Sequence, residues 1–475
     1  MASLADRALT WIIERRQMRL PEPAEPNPYL AGPFAPVDRE VIATDLPVAG
    51  VLPPQLDGLY ARIGPNPVAP PNPAAYHWFI GDGMVHGIRI EQGRALWYRN
   101  RWVRSTEVSQ ALGEPPVSGP RHGNFDTVNT NVIGHAGRIF ALVEAGAHPV
   151  ELSPELATLA HSDFSGTLKG GFTAHPHRDP ETGELHAVCY DARQLNQVRY
   201  VVVGADGRVR RDVAVPVRHG PSIHDCAISE RHAIVLDLPV TFSLRTLLAG
   251  HAFPYRWNPK HLARVGLLPR EGRADEIVWC AVDPCYVFHT CNAFDLPDGR
   301  VVLDVVVHDR MFHESHWGPD SQRIGFERWT CDPTKRTVER AVIDEAPQEF
   351  PRFDERRTGR PYRYAYTVAI EHPEAAPSAP PNGAVYKHDL ATGERTLHDF
   401  GRGRIAGEFV FVPEGSDAGE DEGWLMGLVT DTGRAATDLV VLDARDVAAP
   451  PVAMVALPQR APLGFHGNWI ARHGS

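Results

Sequence analysis

Four histidines in strand-like surroundings are the residues best placed to do chemistry: His175 in GGFTAHPHRDPETGE, His224 in PSIHDCAIS, His289 in CYVFHTCNAFD and His466 in PLGFHGNWI. Each follows or opens an apolar run and is flanked by small or turn residues, which places it near a strand end; His175 itself reads as lying on a strand that turns at Asp179-Pro180-Glu181-Thr182-Gly183 and returns. Neutral imidazole is a ligand for zinc, copper, iron or nickel. Four of them leave the charge of a divalent ion uncompensated, so carboxylates that accept the outer ring N–H are the expected complement. Glu144 in RIFALVEAG, Glu349 in QEFPRF and Glu408 in AGEFVFVP are the candidates, because a glutamate inside an apolar stretch is costly to bury unpaired. The alternative is that these glutamates sit on strands and face solvent. The chain has 23 histidines, so most of them are ordinary surface or core residues.

Other motifs carry less. His161-Ser162-Asp163 has the spacing of a two-histidine, one-carboxylate oxygenase triad, but the match is only three residues long. His313-Glu314-Ser315-His316 lacks the i, i+4 spacing of a zinc protease helix. GRGRIAG at 401–407 and GDGMVHG at 81–87 sit in no strand–helix setting and read as turns. There is no GxSxG nucleophile elbow.

The elements that must position these residues are strands. The 475 residues contain 41 Gly and 43 Pro, an excess that fits many short strands joined by turns. HAIVLDLPV, RVVLDVVVHD and WLMGLVTDT read as buried or half-buried strands. Turn signals recur at Leu56-Asp57-Gly58, Gly204-Ala205-Asp206-Gly207, Pro297-Asp298-Gly299 and Ala391-Thr392-Gly393, with no second composition and no long linker. Helical signal is weak except across Phe242–Arg264. The expected fold is all-β, a propeller being the closed solution for this many strands. His289, Glu349, Glu408 and His466 are spaced by 60, 59 and 58 residues, after intervals of 49 and 65 between His175, His224 and His289. Six such anchors and one unit before them give seven blades.

The net charge of -11 argues against nucleic acid, which needs a basic face. Six cysteines with no CxxC pair fit neither a disulfide framework nor a cysteine zinc site, and a reduced, cytosolic setting is the simplest reading. No run of 18 apolar residues spans a bilayer, and the first twenty residues are not a secretory signal. Residues 1–20 read as one amphipathic helix, either docked on the domain or lying in a membrane interface. A Pro-rich connector runs over residues 21–37. The expected division is an N-terminal helix and connector over 1–26 and a single propeller domain over 27–475.

The chain resembles the carotenoid cleavage oxygenases, the non-haem iron family that also includes stilbene-cleaving oxygenases and a retinoid isomerase. The matching segments are NPYLAGPFAPV, LDGLYARIGPNP, YHWFIGDGMVHG, VNTNVIGHAGRIFALVEAG, GGFTAHPHRDPETGE, IHDCAISERHAIVLDLPV, FHTCNAFD, QEFPRFDERRTGRPYRYAY, GEFVFVP and GFHGNWI, in order over residues 27 to 472. The resemblance implies a seven-bladed β-propeller with a helical and loop cap over the active-site face. It implies one ferrous ion per chain on the axis, held by His175, His224, His289 and His466, with Glu144, Glu349 and Glu408 behind the rings. Thr130 matches a threonine whose methyl crowds one open metal position. His177 falls at a variable site. Cys226 stands where relatives usually carry an aromatic residue, a change expected to reshape the cavity.

The activity implied is scission of one carbon–carbon double bond of a carotenoid or apocarotenoid by dioxygen, giving two carbonyl products. Orientation, exclusion of water and choice of bond fall to the protein. Stilbene-cleaving relatives place a lysine directly before the glutamate matched by Glu144, and here that position is Val143. A stilbene or phenylpropanoid alkene oxygenase is therefore the alternative, and a non-catalytic propeller scaffold a remote one. The partners expected are a hydrophobic polyene and dioxygen. Residues 241–270 mix apolar and basic residues, and relatives use this region in a membrane-facing cap. They read either as peripheral membrane contact, at the inner face of the membrane from a cytoplasmic protein, or as a plain core-covering helix.

Overall fold

Period-two alternation and closely spaced turns make strands of almost every apolar run in the chain. The computed structural model describes residues 12–13, 15–123, 125–370 and 382–472. Within them the only α-helices with defined bounds are the short Thr106–Ala111 and Leu244–Leu248. The three runs read as buried strands are strands: His232–Asp237, Val301–His308 and Gly423–Asp431, the last two buried at every position. Each lies in the middle of a sheet, covered by neighbours on both faces. Outer strands such as Val209–Pro216 and Glu394–Arg402 are largely half-buried or exposed, which matches their Arg, Asp and Glu content.

The sheets are antiparallel meanders arranged like propeller blades. Hydrogen bonding gives five sheets of four or more strands, where the sequence led to an expectation of seven units. The difference has a local cause. The eight-stranded sheet is joined in its middle by one parallel residue pair, Ala281 with Thr337, and the nine-stranded sheet by another, Asn382 with Arg404. Both joints lie between meanders that are otherwise antiparallel.

The ring is closed by exchange between the chain ends. The C-terminal strand Gly467–Ala471 pairs with Gly58–Pro65, and the early strand Val48–Gly50 pairs with Ala453–Ala456. Gly64 and Gly464 let the two backbones touch just before His466: a Cβ on Gly64 would lie 2.5 Å from the Gly464 Cα. A side chain at either position would therefore push His466 off the axis.

Two expectations need correction. The helical signal over Phe242–Arg264 yields only the five-residue helix Leu244–Leu248, capped by Ser243, before the chain becomes extended again at Tyr255–Trp257. Gly250 and Pro254 end helical propagation there. His175, read as lying on a strand, instead precedes the two-residue strand His177–Arg178. The helix expected over residues 1–20 lies mostly outside the described residues. Residues 12–13 and 15–17 are helical, and the Gln17 carbonyl accepts a hydrogen bond from Asn72. No helix among the described residues is long and apolar enough to cross a membrane. All six cysteines are buried and unpaired.

Candidate metal centre

The four histidines occupy equivalent places. Each stands just before the innermost strand of a sheet or meander: His175 before His177–Arg178, His224 before Ala227–Ile228, His289 before Thr290–Asp295 and His466 before Gly467–Ala471. Leaving the strand at that point turns the ring onto the axis. One nitrogen from each of the four lies within 4.8 Å of the others, and all four residues are buried.

Three of the rings are held from behind. Nδ1 of His224 lies 2.8 Å from Glu144, Nδ1 of His289 2.5 Å from Glu349, and Nδ1 of His466 3.0 Å from Glu408. Burial alone would raise the Glu408 carboxyl, but Arg352 and His466 beside it carry it down to about 2. Glu349 is likewise held below the usual carboxylate range, burial being outweighed by His289 and His308. Ionised carboxylates take the Nδ1 protons and leave the Nε2 lone pairs pointing inward. Nε2 of His289 then lies 3.3 Å from Nε2 of His224 and 3.1 Å from Nε2 of His466. Nε2 of His175 is buried with no hydrogen-bond partner. Burial and the three neighbouring imidazoles push His175 well below its ordinary pKa, so it is neutral. Four facing acceptors repel one another unless a cation sits among them. The donor set therefore fits a divalent transition metal.

The glutamates reach the rings through irregular backbone. Register shifts follow Glu349 and flank Glu408, and the residues after Glu349 and Glu144, Phe350 and Ala145, have φ of 54° and 66°. Left-handed backbone at non-glycine residues is unfavourable, and it persists here where a carboxylate is turned toward a ring. Thr130 directly precedes the inner strand Asn131–His135. Its hydroxyl donates to Asn129, it lines the larger cavity, and its carbonyl accepts from the His466 backbone.

Two cavities meet at the histidines. One, of about 660 Å³, is walled by Phe79, Val143, Phe253, Phe288, Phe350 and Phe465 and reaches His224, His289 and His466. The other, of about 240 Å³, is lined by Asn131, His177, Asp225, Arg352, Glu355 and Asn468 and reaches His175, His289 and His466. Cys226 lines neither of them. It packs in the core with its sulfur 3.8 Å from the His175 carbonyl.

Three residues of the site escaped the sequence reading. His308 bridges Glu349 at 2.7 Å and Ser321 at 3.0 Å, and it was visible only as a polar residue at the end of an apolar run. Arg352 lies 3.7 Å from Glu408 and also bonds Asn468. Asp225 accepts from the Cys226 and Thr290 backbones and pairs with His177 at 2.8 Å. His177, Asp225 and Cys226 form a second cluster of metal-binding residue types. Asp225 is already saturated, and burial keeps the Cys226 thiol protonated. His161 and Asp163 belong to no metal-binding cluster among the described residues.

The sequence model of the family described as Retinal pigment epithelial membrane protein matches residues 34–471. A carotenoid cleavage oxygenase of Mycobacterium tuberculosis is 44% identical over 93% of the chain and 97% of its own length. A carotenoid 9,10(9',10')-cleavage dioxygenase of Arabidopsis thaliana is 31% identical over 97% of the chain and 93% of its own length. Among solved structures, a cobalt-substituted apocarotenoid oxygenase of Synechocystis superposes with a TM-score of 0.81 at 29% identity, covering 92% of the chain and 97% of its own. A lignostilbene dioxygenase of Pseudomonas brassicacearum superposes with a TM-score of 0.84 at 29% identity, covering 95% and 99%.

Proposed function

The chain belongs to the carotenoid cleavage oxygenase family, and on that premise we propose that it is an iron(II)-dependent dioxygenase cleaving one double bond of a carotenoid or apocarotenoid into two carbonyl products. The observation that carries this reading is the junction of a large apolar cavity with four converging imidazoles. His175, His224, His289 and His466 would hold one ferrous ion per chain, and Glu144, Glu349 and Glu408 would fix three of the rings. Iron bound there supplies the activation of dioxygen toward an electron-rich alkene. Everything else falls to the chain itself.

Phe79 meets Phe288 and Phe465 edge to face at 5.8 and 5.5 Å, which makes an apolar wall suited to orienting a polyene and excluding water. Phe350 lies 5.3 Å from His289 and 5.4 Å from His466, on the cavity side of both rings. Thr130 lines the same cavity as His224, His289 and His466, where its methyl would narrow the space beside the centre. A volume of about 660 Å³ lies within the ~300–1,000 Å³ usual for small-molecule sites. Val143 lines this cavity where stilbene-cleaving relatives have lysine, which favours a polyene over a phenol. The stilbene alternative keeps the support of the lignostilbene dioxygenase superposition.

The same reading takes the propeller as seven-bladed. Dividing the two large sheets at their single parallel pairs leaves three four-stranded meanders of ordinary blade size and one of five strands, the fifth being the early strand Val48–Gly50. Residues 27–475 act as one catalytic domain, which the anchoring of buried Asn27 on Pro73 and Tyr76 supports. Exposed Phe125, Leu244 and Leu248 beside the cavity favour peripheral contact with a membrane that holds the substrate. Replacing Leu244 and Leu248 by Asp then lowers liposome flotation, and unchanged flotation removes this contact from the account.

The test of function is aerobic incubation of the iron-loaded protein with a panel of apocarotenals and stilbenes, products being identified by mass. Paired carbonyl fragments from an apocarotenal are expected. Cleavage of stilbenes alone overturns the substrate assignment, and no cleavage of any alkene overturns the reaction.

A further inference from the structure

The apolar cavity contains few polar atoms, and most of them are engaged. The Thr130 hydroxyl donates to Asn129, Ser321 and His308 bond each other, His308 bonds Glu349, and the Tyr190 oxygen accepts from Ser222. Four uncommitted donors remain on the cavity wall: the Trp78 Nε1–H, buried with no partner, the Tyr190 hydroxyl proton, the Tyr255 hydroxyl and Arg193. The Tyr255 hydroxyl makes no hydrogen bond among the described residues, and its ring stands 5.6 Å from that of Tyr190. Arg193 uses Nε on Asp191 at 3.4 Å and Nη2 on His122 at 2.7 Å, which leaves Nη1 without a partner among the described residues.

Position separates Arg193 from the other three. Tyr190, Tyr255 and the Trp78 Nε1 are buried, whereas the Arg193 side chain is 51% exposed while still lining the cavity. Phe125, also a lining residue, is 43% exposed. Arg193 is thus the cation at the solvent end of a channel whose other end is the histidine cluster. Its backbone is fixed as well, because its N–H donates to Asp191 at 2.8 Å in a tight turn. Asp191 also faces His122 at 2.9 Å. A carboxylate ligand at this mouth would meet Asp191, so the free Nη1 suits a neutral acceptor.

Building on the function proposed above, we propose that Arg193 forms a mouth subsite for a neutral oxygen, aldehyde or hydroxyl, at one end of the polyene. The substrate class is then an oxygen-ended apocarotenoid, not a hydrocarbon carotene or an apocarotenoic acid. An anchored end also fixes how deep the polyene reaches, and therefore which double bond lies beside the histidines.

The test is anaerobic tryptophan-quenching titration of the iron-loaded protein with an apocarotenal, the hydrocarbon polyene of the same length, and the matching acid, each in detergent micelles. The wild type is expected to bind the aldehyde ~10-fold more tightly than the hydrocarbon, as for a hydrogen bond from a charged donor. The acid binds more weakly than the aldehyde. In Arg193→Met the aldehyde-to-hydrocarbon ratio falls to within about 2-fold of unity, and Arg193→Lys restores part of it. Equal wild-type affinities overturn the subsite, as does a ratio that Arg193→Met leaves unchanged. A ratio that collapses in Tyr255→Phe but not in Arg193→Met also overturns the assignment to Arg193. If the preference appears but no alkene is cleaved in air, the proposed reaction fails and the subsite stands.

Discussion

The two cavities that meet at the four histidines are built from opposite chemistry. The larger is walled by phenylalanines and leads past Val143 to His224, His289 and His466. The smaller is lined by Arg352, Asp225, His177, Glu355 and Asn468, most of them bonded to one another or to backbone. His289 and His466 therefore face both an apolar and a polar side, while His224 meets only the apolar cavity and His175 only the polar one. The apolar side has room and few uncommitted polar groups, which is what a polyene needs. The polar side is a hydrogen-bonded scaffold that keeps rings and inner strands in register. Substitutions on the apolar side should change which molecule reacts, and those on the polar side should change how firmly the centre is held.

The centre itself carries the largest effect. His289→Ala removes the imidazole that faces both His224 and His466, and metal and turnover are expected to fall together by at least ~100-fold. Elemental analysis beside product formation checks this, and a metal-free variant with full turnover would break the ligand assignment. Glu349→Gln comes next, because this carboxylate holds both His289 and His308. Metal affinity is expected to drop roughly 10–100-fold, measured by competition with a chelator. A drop of the same size in substrate preference would blur the division between the two sides.

Val143→Lys brings a donor onto the apolar wall and should raise the ratio of hydroxystilbene to apocarotenal turnover by roughly 10-fold. An unchanged ratio would remove Val143 from the account of specificity. The smallest effect belongs to Glu355→Gln on the polar side. Its carboxylate is 57% exposed and pairs with Arg352 at 3.3 Å, so a change of less than about 2-fold in apocarotenal turnover is expected. A larger change in substrate preference would show that the polar side also selects the substrate.

The histidines were legible because each sits at a strand end between apolar residues and small ones, a local pattern. Glu144, Glu349 and Glu408 were legible as charges in apolar runs, but their pairing was not. Which carboxylate reaches which ring depends on left-handed backbone at Ala145 and Phe350 and on bulges beside Glu349 and Glu408, and no residue type signals these. His308 and Arg352 were missed for a related reason: their partners are supplied by other strands, 41 and 56 residues away in sequence. The all-β character followed from turn spacing. Counting blades was harder, because single parallel pairs fuse neighbouring sheets without leaving a mark in the sequence. The Phe242–Arg264 stretch mixes apolar and basic residues as a helix would, but Gly250 and Pro254 confine the helix to Leu244–Leu248.

The central claim is that four neutral imidazoles, and no carboxylate, hold one iron between the two cavities. Iron K-edge X-ray absorption of the iron-loaded protein tests it most directly. The account predicts a nitrogen shell with the scattering of four imidazoles. A shell with two or fewer imidazoles, or one completed by carboxylate oxygens, would contradict it.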